Sequence, residues 1–215
     1  MKTTSKMSEA VTTIHFVRHG AVYNPGNIFY GRLPRFGLSQ QGRQQIQALR
    51  GYFADKPIAL IVSSPLLRAR QTARLIAGLA GQPALKVSSL LNESHTPFDG
   101  KPIAELDARN WDIYSGAPFP YEQPLHVFQR AAKFIQRMLK NYAGQHIIAV
   151  THADVVVFLA LWANGYVVSF ENKSRVEHHQ LPVPFPAPAS VTALSWCGSQ
   201  ELPQFTYYEA QGIRP

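Results

Sequence analysis

The sequence has few of the residues that stabilise small secreted proteins or bind zinc. Its 215 residues include one cysteine, Cys197, which excludes an internal disulfide framework and a cysteine-rich zinc site. We therefore expect a reducing compartment and a cytoplasmic location. The first ten residues are polar and lack the apolar stretch of a signal peptide, so 1–10 is predicted to be a disordered tail. Residues 11–215 are predicted to form a single domain.

Charged residues are also scarce, at 16% of the chain, whereas apolar residues make up 46%, a composition that excludes a disordered protein. The formal net charge of +8 favours a negatively charged partner, such as a small phosphorylated substrate. The most apolar stretch, 147–170, is interrupted by His152, Asp154 and Asn164. It is therefore predicted to be a strand followed by a buried helix, and no membrane partner is expected.

Basic residues recur at helical spacing between residues 124 and 142. Arg130, Lys133, Arg137 and Lys140 fall on one face of a predicted amphipathic helix, opposite an apolar face. The pattern predicts a solvated basic surface. Because no zinc finger, helix-turn-helix pairing or aromatic RNA-binding signature accompanies it, no specific nucleic-acid partner is expected.

Strand-like and helix-like segments alternate along the chain. The predicted strands lie at residues 13–17, 59–62, 86–90, 146–150, 190–196 and 205–208. The predicted helices lie at residues 39–53, 65–80, 102–108, 124–142 and 153–163. This alternation predicts an α/β fold, a three-layer α/β/α sandwich with a mostly parallel sheet. The loop at 20–38 is predicted to be functional, and the turn-rich segment at about 94–124 is predicted to be an insertion that covers the substrate.

Reactive side chains follow four of the predicted strands. Arg18 and His19 follow the first strand, and Arg68 follows the second. Glu93 follows the third strand, and His152 follows the strand at 146–150. Because ligands bind at the carboxyl ends of the strands in open α/β sheets, these side chains are expected to meet at one edge.

This set of residues suits attack on phosphorus. A neutral His19 would act as nucleophile and form a phosphohistidine, with a backbone carbonyl setting its tautomer. Arg18 and Arg68 would bind the phosphoryl oxygens and lower the pKa of His19. His152 would donate a further hydrogen bond to the phosphoryl group. Glu93 would protonate the leaving alkoxide as general acid and then activate water as general base.

The ordered motifs resemble those of the histidine phosphatase superfamily, in its phosphoglycerate-mutase-like branch. The resemblance rests on Arg18-His19-Gly20, the run from Ser64 to Thr72, Leu91-Asn92-Glu93 and Thr151-His152. It implies a phosphoglycerate-mutase-like fold and a metal-independent phosphatase that hydrolyses a phosphomonoester. It also implies that no metal or other cofactor is needed.

Further phosphate or substrate contacts are predicted around this set, namely Asn24, Tyr30, Arg32 and the backbone amide of Ala153. The chain departs from the family pattern at two of these places. Asn24 stands one position earlier than the family's asparagine, and Ala153 stands where family members often have glycine. Other candidates for specificity are Tyr23, Arg35, His95, Phe98, Trp111 and Tyr114.

Several alternatives remain open at this level. Asp99 competes with Glu93 as proton donor, and Arg70 competes with Arg68. A phosphoglycerate mutase is the alternative enzyme, although the divergent segment after Glu93 argues against it. A non-catalytic module that binds a phosphorylated ligand is a third possibility. The sequence leaves open the physiological substrate and whether the protein is a monomer or a homodimer.

Overall fold

The computed structural model describes residues 10–198 and 202–210, so all of the predicted tail except Ala10 lies outside the described residues. The strands are β1 (Thr12–Arg18), β2 (Ile58–Ser63), β3 (Ala84–Val87), β4 (His146–Thr151), β5 (Val191–Trp196) and β6 (Gln204–Tyr208). The helices are α1 (Gln40–Gln47), α2 (Arg50–Phe53), α3 (Leu67–Leu79), α4 (Ile103–Asp107), α5 (Pro124–Asn141), α6 (Ala153–Ala163) and α7 (Phe170–Glu177).

All six strands belong to one sheet, in the order β3-β2-β4-β1-β5-β6. The first four of these strands run parallel, and Arg18 at the end of β1 pairs with Thr151 at the end of β4. β5 runs antiparallel to β1, and β6 runs antiparallel to β5. The prediction of a mostly parallel sheet is therefore confirmed.

Helices cover both faces of the sheet. Successive residues of a strand point to opposite faces, so Phe16 packs into one core cluster and Val17 into the other. The Phe16 cluster includes residues of α5 and α6, and the Val17 cluster includes residues of α1, α2 and α3. This burial on both faces confirms the predicted three-layer sandwich.

Three of the predicted element boundaries are wrong. The helix predicted at 39–53 begins after the Ser39 cap, as expected, but it breaks between Gln47 and Arg50 into α1 and α2. The helix predicted from residue 65 begins at Leu67, because the preceding residue is still extended. The strand predicted at 86–90 lies at 84–87 and is followed by a 3₁₀ turn over Ser89–Leu91.

The helix α7 was not predicted from the sequence. Its N-cap is Ser169, whose side chain accepts a hydrogen bond from the backbone N–H of Asn172. A serine before a polar turn is typical of the start of a helix. This helix is short and has few apolar residues, however, so its sequence shows little of the periodicity that predicts a helix. This helix brings Lys173 and Glu177 to the functional cavity described below.

Two glycines fix the loop that follows β1 against the first turn of α1. A Cβ on Gly20 would lie 2.6 Å from the Gly42 carbonyl oxygen, and a Cβ on Gly42 would lie 2.1 Å from the Ala21 oxygen. Both distances are far shorter than a van der Waals contact, so side chains at these positions would force the backbones apart. The close approach holds the residue before Gly20, which is His19, at the end of the strand.

The apolar stretch at 147–170 divides as the sequence predicts, into β4 and the buried helix α6. Within the described residues, no helix combines enough length with enough apolar character to cross a membrane. The segment between Asn92 and α5 is irregular apart from α4, and its residues form one wall of the functional cavity.

Candidate active site

The structure brings four of the predicted side chains together around the guanidinium group of Arg68. Arg68 lies in the first turn of α3, and its Nε is 3.1 Å from His19 Nε2. Its Nη2 is 3.2 Å from His152 Nδ1 and 3.6 Å from Glu93 Oε2. His19 follows β1 and His152 follows β4, so the parallel pairing of these strands places both imidazoles at the same sheet edge.

The His19 imidazole is buried and held in one tautomer. Its Nδ1 lies 2.8 Å from the carbonyl oxygen of Gly20, which only accepts hydrogen bonds, so Nδ1 carries the proton. Nε2 then holds a lone pair, which accepts a hydrogen bond from Arg68 Nε. Burial lowers the pKa of His19 well below its usual value, and the charges of Arg68 and Arg18 lower it further. The imidazole is therefore neutral.

The two arginines carry donors that no protein group uses. Arg68 is fully buried and donates through Nη2 to the Gly31 carbonyl at 2.7 Å, while Arg18 donates through Nη1 to the Pro186 carbonyl at 2.7 Å. Arg68 Nη1 and Arg18 Nε are buried without a hydrogen-bond partner in the described part of the chain. An unpaired buried donor costs about 1–3 kcal/mol. These two donors are suited to the oxygens of an anionic ligand.

The Glu93 carboxyl group lies beside the two histidines, with 13% of its side chain exposed. Its Oε1 accepts a hydrogen bond from the Ser94 backbone at 2.9 Å, and its Oε2 lies 3.4 Å from His152 Nδ1. Burial raises the pKa of Glu93, and the nearby Asp154 carboxylate raises it further, against the opposing charge of Arg68. The carboxyl group therefore keeps its proton to a higher pH than an exposed glutamate.

The His152 imidazole is fully buried and oriented by a chain of hydrogen bonds. Asn92 Oδ1 accepts from the Glu93 backbone, so the Ser64 hydroxyl, at 3.4 Å, donates to it. Ser64 Oγ therefore accepts from His152 Nε2 at 2.8 Å, which leaves Nδ1 unprotonated. Burial lowers the pKa of His152 well below its usual value. A role as phosphoryl donor would require Nδ1 to gain a proton when the anion binds.

Arg18, His19 and Glu93 open into a cavity of about 560 Å³, whereas Arg68 and His152 are fully buried and do not line it. Such a volume lies within the range of about 300–1,000 Å³ that is usual for small-molecule sites. The cavity is lined on one side by the predicted site residues Arg18, His19, Tyr30, Glu93 and Ala153. Residues of the segment at 103–113 and of helix α7 line the other side.

A comparison with models of known protein families shows which family the chain belongs to. The model of the histidine phosphatase superfamily (branch 1) matches residues 14–197. The chain belongs to this superfamily. The sequence is 36% identical over 165 residues to a glucosyl-3-phosphoglycerate phosphatase of Mycolicibacterium vanbaalenii, covering 69% of this chain and 72% of that protein. It is 32% identical over 161 residues to an uncharacterized protein of Mycobacterium tuberculosis, covering 72% of this chain and 79% of the relative.

Solved structures show the same fold. A mycobacterial glucosyl-3-phosphoglycerate phosphatase superposes with a TM-score of 0.72 at 24% identity, over 93% of this chain and 98% of that chain. A phosphoglycerate mutase from Bacillus anthracis superposes with a TM-score of 0.70 at 17% identity, over 96% of this chain and 95% of that chain. The phosphoglycerate-mutase-like architecture expected from the sequence is therefore confirmed.

The site of this superfamily member includes an acidic residue that the sequence analysis does not predict. Asp154 lies in the first turn of α6 and is buried, and its Oδ2 accepts a hydrogen bond from the Tyr114 hydroxyl. The Tyr114 hydroxyl also lies 2.9 Å from Ser94 Oγ, next to Glu93. The sequence feature that points to a role for Asp154 is its position inside the most apolar stretch of the chain, where a carboxylate is unusual. Tyr114, predicted as a specificity residue, is buried and connects Asp154 to the Glu93 loop.

The backbone of Glu93 is held by three charged side chains, Arg32, Glu122 and Arg130, which we call the Glu93 clamp. Arg32 Nε and Arg130 Nη2 both donate to the Glu93 carbonyl oxygen, at 2.8 and 3.1 Å. Glu122 joins the arginines, with 2.8 Å contacts to Arg32 Nη2 and Arg130 Nε. Arg130 Nη1 also donates to the Leu90 carbonyl at 2.9 Å.

Two residues of the Glu93 clamp, Arg32 and Arg130, lie in surroundings that differ from those predicted. Arg32 was predicted to contact phosphate or substrate, but its guanidinium is engaged with the Glu93 carbonyl and Glu122. Arg130 was predicted to lie on a solvated basic face, yet it is half-buried, whereas Lys133, Arg137 and Lys140 are exposed. The helical spacing of basic residues did not reveal that the first turns of α5 pack against the loop before Glu93.

The remaining predicted contacts divide between the cavity and the loops. Ala153 is the first residue of α6 and lines the cavity, as does Tyr30, whose ring centroid is 6.5 Å from that of His19. Asn24 is not brought to the cavity. Its Nδ2 donates to the Ile28 carbonyl at 2.9 Å, because the asparagine closes a tight turn of its own loop.

The structure also distinguishes between the two candidates for the proton donor and between the two candidates for the buried arginine. Asp99 Oδ2 accepts a hydrogen bond from the Arg32 backbone at 3.0 Å, and Asp99 does not line the cavity, whereas Glu93 does. Arg70 is exposed, whereas Arg68 is buried at the centre of the site. The geometry therefore favours Glu93 and Arg68 over their competitors.

One group of side chains has a geometry that could hold a metal ion. Ligand atoms of His19, Glu93 and His152 lie within 4.8 Å of one another in the described part of the chain. The Arg68 guanidinium, however, already contacts all three of these side chains. Its permanent positive charge opposes a second cation at the same place and supplies the electrostatic stabilisation that a metal ion would give.

Proposed function

We propose that this chain is a metal-independent phosphatase that hydrolyses a small phosphomonoester through a phosphohistidine at His19. The observation that carries the proposal is the state of the His19 imidazole, neutral and buried, with its proton on Nδ1 and its lone pair on Nε2. This lone pair lies beside two arginines that each have an unpaired donor. Relatives that are named phosphatases support the same reaction.

The first half-reaction transfers the phosphoryl group to the enzyme. The phosphoryl oxygens replace His19 Nε2 as acceptors for the Arg68 guanidinium and also accept from Arg18 Nε and the Ala153 amide at the N-terminus of α6. His19 Nε2 attacks phosphorus, the ester P–O bond breaks, and Glu93 donates its proton to the leaving alkoxide. A donor placed in advance at developing charge contributes about 3–4 kcal/mol to transition-state stabilisation.

The second half-reaction returns the enzyme to its starting state. The ionised Glu93 takes a proton from water, and the hydroxide oxygen attacks phosphorus as the P–N bond to His19 breaks. Inorganic phosphate leaves, Glu93 is protonated again, and His19 recovers its neutral form, with Nδ1 still protonated and donating to the Gly20 carbonyl. His152 takes up a proton from solvent on Nδ1 when the phosphoryl dianion binds, donates a hydrogen bond to it in both steps, and returns the proton to solvent when inorganic phosphate leaves.

Phosphate release without metal tests this proposal. The protein should release inorganic phosphate from p-nitrophenyl phosphate at an unchanged rate after treatment with EDTA, because Arg18 and Arg68 supply the positive charge. Rapid quenching with labelled substrate should trap a phosphoprotein that is stable in alkali and labile in acid. Loss of activity in EDTA that Mg²⁺ or Zn²⁺ restores would contradict the metal-independent mechanism. Isomerisation of 3-phosphoglycerate with negligible phosphate release would favour the mutase alternative.

We expect the Glu93 clamp to affect the rate of hydrolysis, because it holds the general acid, Glu93, in position. We expect Arg130→Leu to lower kcat for an alkyl phosphate by roughly tenfold to a hundredfold, since small displacements of a catalytic group cost up to about 10²-fold. The loss should be smaller for p-nitrophenyl phosphate, whose leaving group needs little protonation. Arg137→Leu, on an exposed part of the same helix, is the matched control. Equal losses on the two substrates would show that Arg130 does not act through Glu93.

We also propose a cytoplasmic location and a small phosphorylated metabolite as substrate. The scarcity of cysteine supports a reducing compartment. The volume of the cavity and its enclosure by the segment at 103–113 support a small substrate rather than an extended one.

A further inference from the structure

The part of the cavity beyond the phosphoryl-binding residues is acidic. Its wall includes the carboxylates of Asp107, Asp154 and Glu177, and one lysine, Lys173. Asp154 is buried, Glu177 is half-buried, and Asp107 is exposed at the mouth. A leaving group bound here would therefore lie among acceptors and negative charge, whereas its phosphoryl group lies among arginines.

Lys173 offsets only part of this acidity, because its single ammonium group is shared by two carboxylates and the group of three keeps a net negative charge. Its Nζ lies 3.2 Å from Glu177 Oε1 and 3.4 Å from Asp154 Oδ1, and the residue is 3% exposed. Burial lowers the pKa of Lys173, but the two carboxylates outweigh that effect and raise it. If a substrate carboxylate paired with this ammonium group, a protein carboxylate would be left buried without its partner. Such an unpaired buried charge strongly disfavours binding.

The rest of the wall is apolar and partly aromatic. Trp111 and Phe29 line it with their ring centroids 6.4 Å apart, and the Trp111 indole N–H donates to Asp107 Oδ1 at 2.9 Å. Isoleucines at positions 28, 103 and 113 complete this side. An apolar, partly aromatic face next to carboxylate acceptors suits a polyhydroxylated compound, whose C–H groups pack on the rings while its hydroxyl groups donate hydrogen bonds.

We propose that the enzyme selects phosphomonoesters whose leaving group carries hydroxyl donors and no negative charge, such as polyols and sugars. The inference rests on the proposed function, since it concerns the leaving group of that same reaction. It excludes substrates with a carboxylate close to the ester, among them 3-phosphoglycerate.

A matched pair of substrates tests the inference. Glycerol 3-phosphate and 3-phosphoglycerate have the same carbon chain, but one ends in a hydroxyl and the other in a carboxylate. We expect kcat/KM for glycerol 3-phosphate to be at least about tenfold higher, because like charges placed together in a binding site strongly disfavour a complex. A kcat/KM for 3-phosphoglycerate that equals or exceeds that for glycerol 3-phosphate would overturn the inference.

Charge-neutral variants locate the effect in the cavity wall. Glu177→Gln should reduce the preference for glycerol 3-phosphate several-fold, because it leaves Lys173 with one carboxylate partner. Glu171→Gln removes the same charge from an exposed position of α7 that does not line the cavity, so the preference should not change. Asp107→Asn, at the exposed mouth of the cavity, should also reduce the preference for glycerol 3-phosphate. This variant can replace Glu177→Gln in the test if Glu177→Gln folds poorly. An unchanged preference in the folded cavity variants would overturn the inference.

p-Nitrophenyl phosphate separates this inference from the proposed function. If the wild-type protein releases no phosphate from this activated ester, the proposed function itself fails. If it hydrolyses the ester yet prefers the carboxylate substrate, the phosphatase reaction stands and only the inference about the leaving group fails.

Discussion

Replacing His19 with alanine should abolish phosphate release, with kcat reduced roughly 10⁴-fold or more, as is usual when a covalent nucleophile is removed. In the part of the chain that the structure describes, no other group is placed to replace it. Within the described residues, His152 is the second imidazole of the cluster, and its Nδ1 faces Arg68 and Glu93 while its Nε2 is bonded to Ser64. The variant should also yield no alkali-stable phosphoprotein after rapid quenching.

A second histidine variant controls for the loss of an imidazole. His179 is exposed and has a φ of 56°, a conformation that asparagine tolerates well, so His179→Asn should keep wild-type activity. Circular dichroism should show that both variants are folded. Substantial turnover by folded His19→Ala, on aryl or alkyl phosphates, would reject His19 as the nucleophile.

Replacing Glu93 with glutamine should slow alkyl phosphates by about 10²–10⁴-fold and aryl phosphates far less. An alkoxide is a poor leaving group and needs a proton in the transition state, whereas p-nitrophenolate leaves without one. The measurement is kcat for glycerol 3-phosphate and for p-nitrophenyl phosphate in the same preparation. Equal losses on both esters would point away from leaving-group protonation by Glu93.

The same residue should govern the pH dependence of alkyl phosphate hydrolysis. Burial and the Asp154 carboxylate raise the pKa of Glu93, so the acid form needed for the first step persists to a higher pH than in an exposed glutamate. As the pH rises through this raised pKa, the proton is lost and kcat should fall. In Glu93→Gln this alkaline decline should disappear, and in the exposed control Glu171→Gln it should remain.

The central part of the site could be predicted because its residues follow strands directly. Arg18 ends β1, His19 follows it, and His152 follows β4, so parallel pairing alone brings them to one edge. Arg68 and Glu93 lie further from their strands, but strand order predicts the same edge for them, and the motifs of the resemblance include both residues. Their chemical roles remain proposals, but their positions around the Arg68 guanidinium are those expected from strand order.

The supporting residues could not be predicted, because their contacts depend on how loops pack. Helical periodicity placed Arg130 with Lys133 and Arg137, and nothing local showed that a loop carbonyl lies within reach of the first of them. The distance of Asn24 from the Arg-His-Gly motif predicts a phosphate contact, whereas its side chain is used by its own turn. In the sequence, Asp154 only interrupts an apolar stretch, because its partner Tyr114 lies far away along the chain.

The hydrogen bond from Arg68 Nε to His19 Nε2, at 3.1 Å, has a consequence for the resting protein. In the proposed mechanism the lone pair of His19 Nε2 attacks phosphorus, so in the resting protein the nucleophile is covered by a guanidinium group until phosphoryl oxygens accept its hydrogen bonds. We therefore expect this imidazole to react slowly with electrophiles such as alkylating agents when no phosphorylated compound is bound. Under the proposed mechanism, binding of the substrate would free the lone pair for reaction.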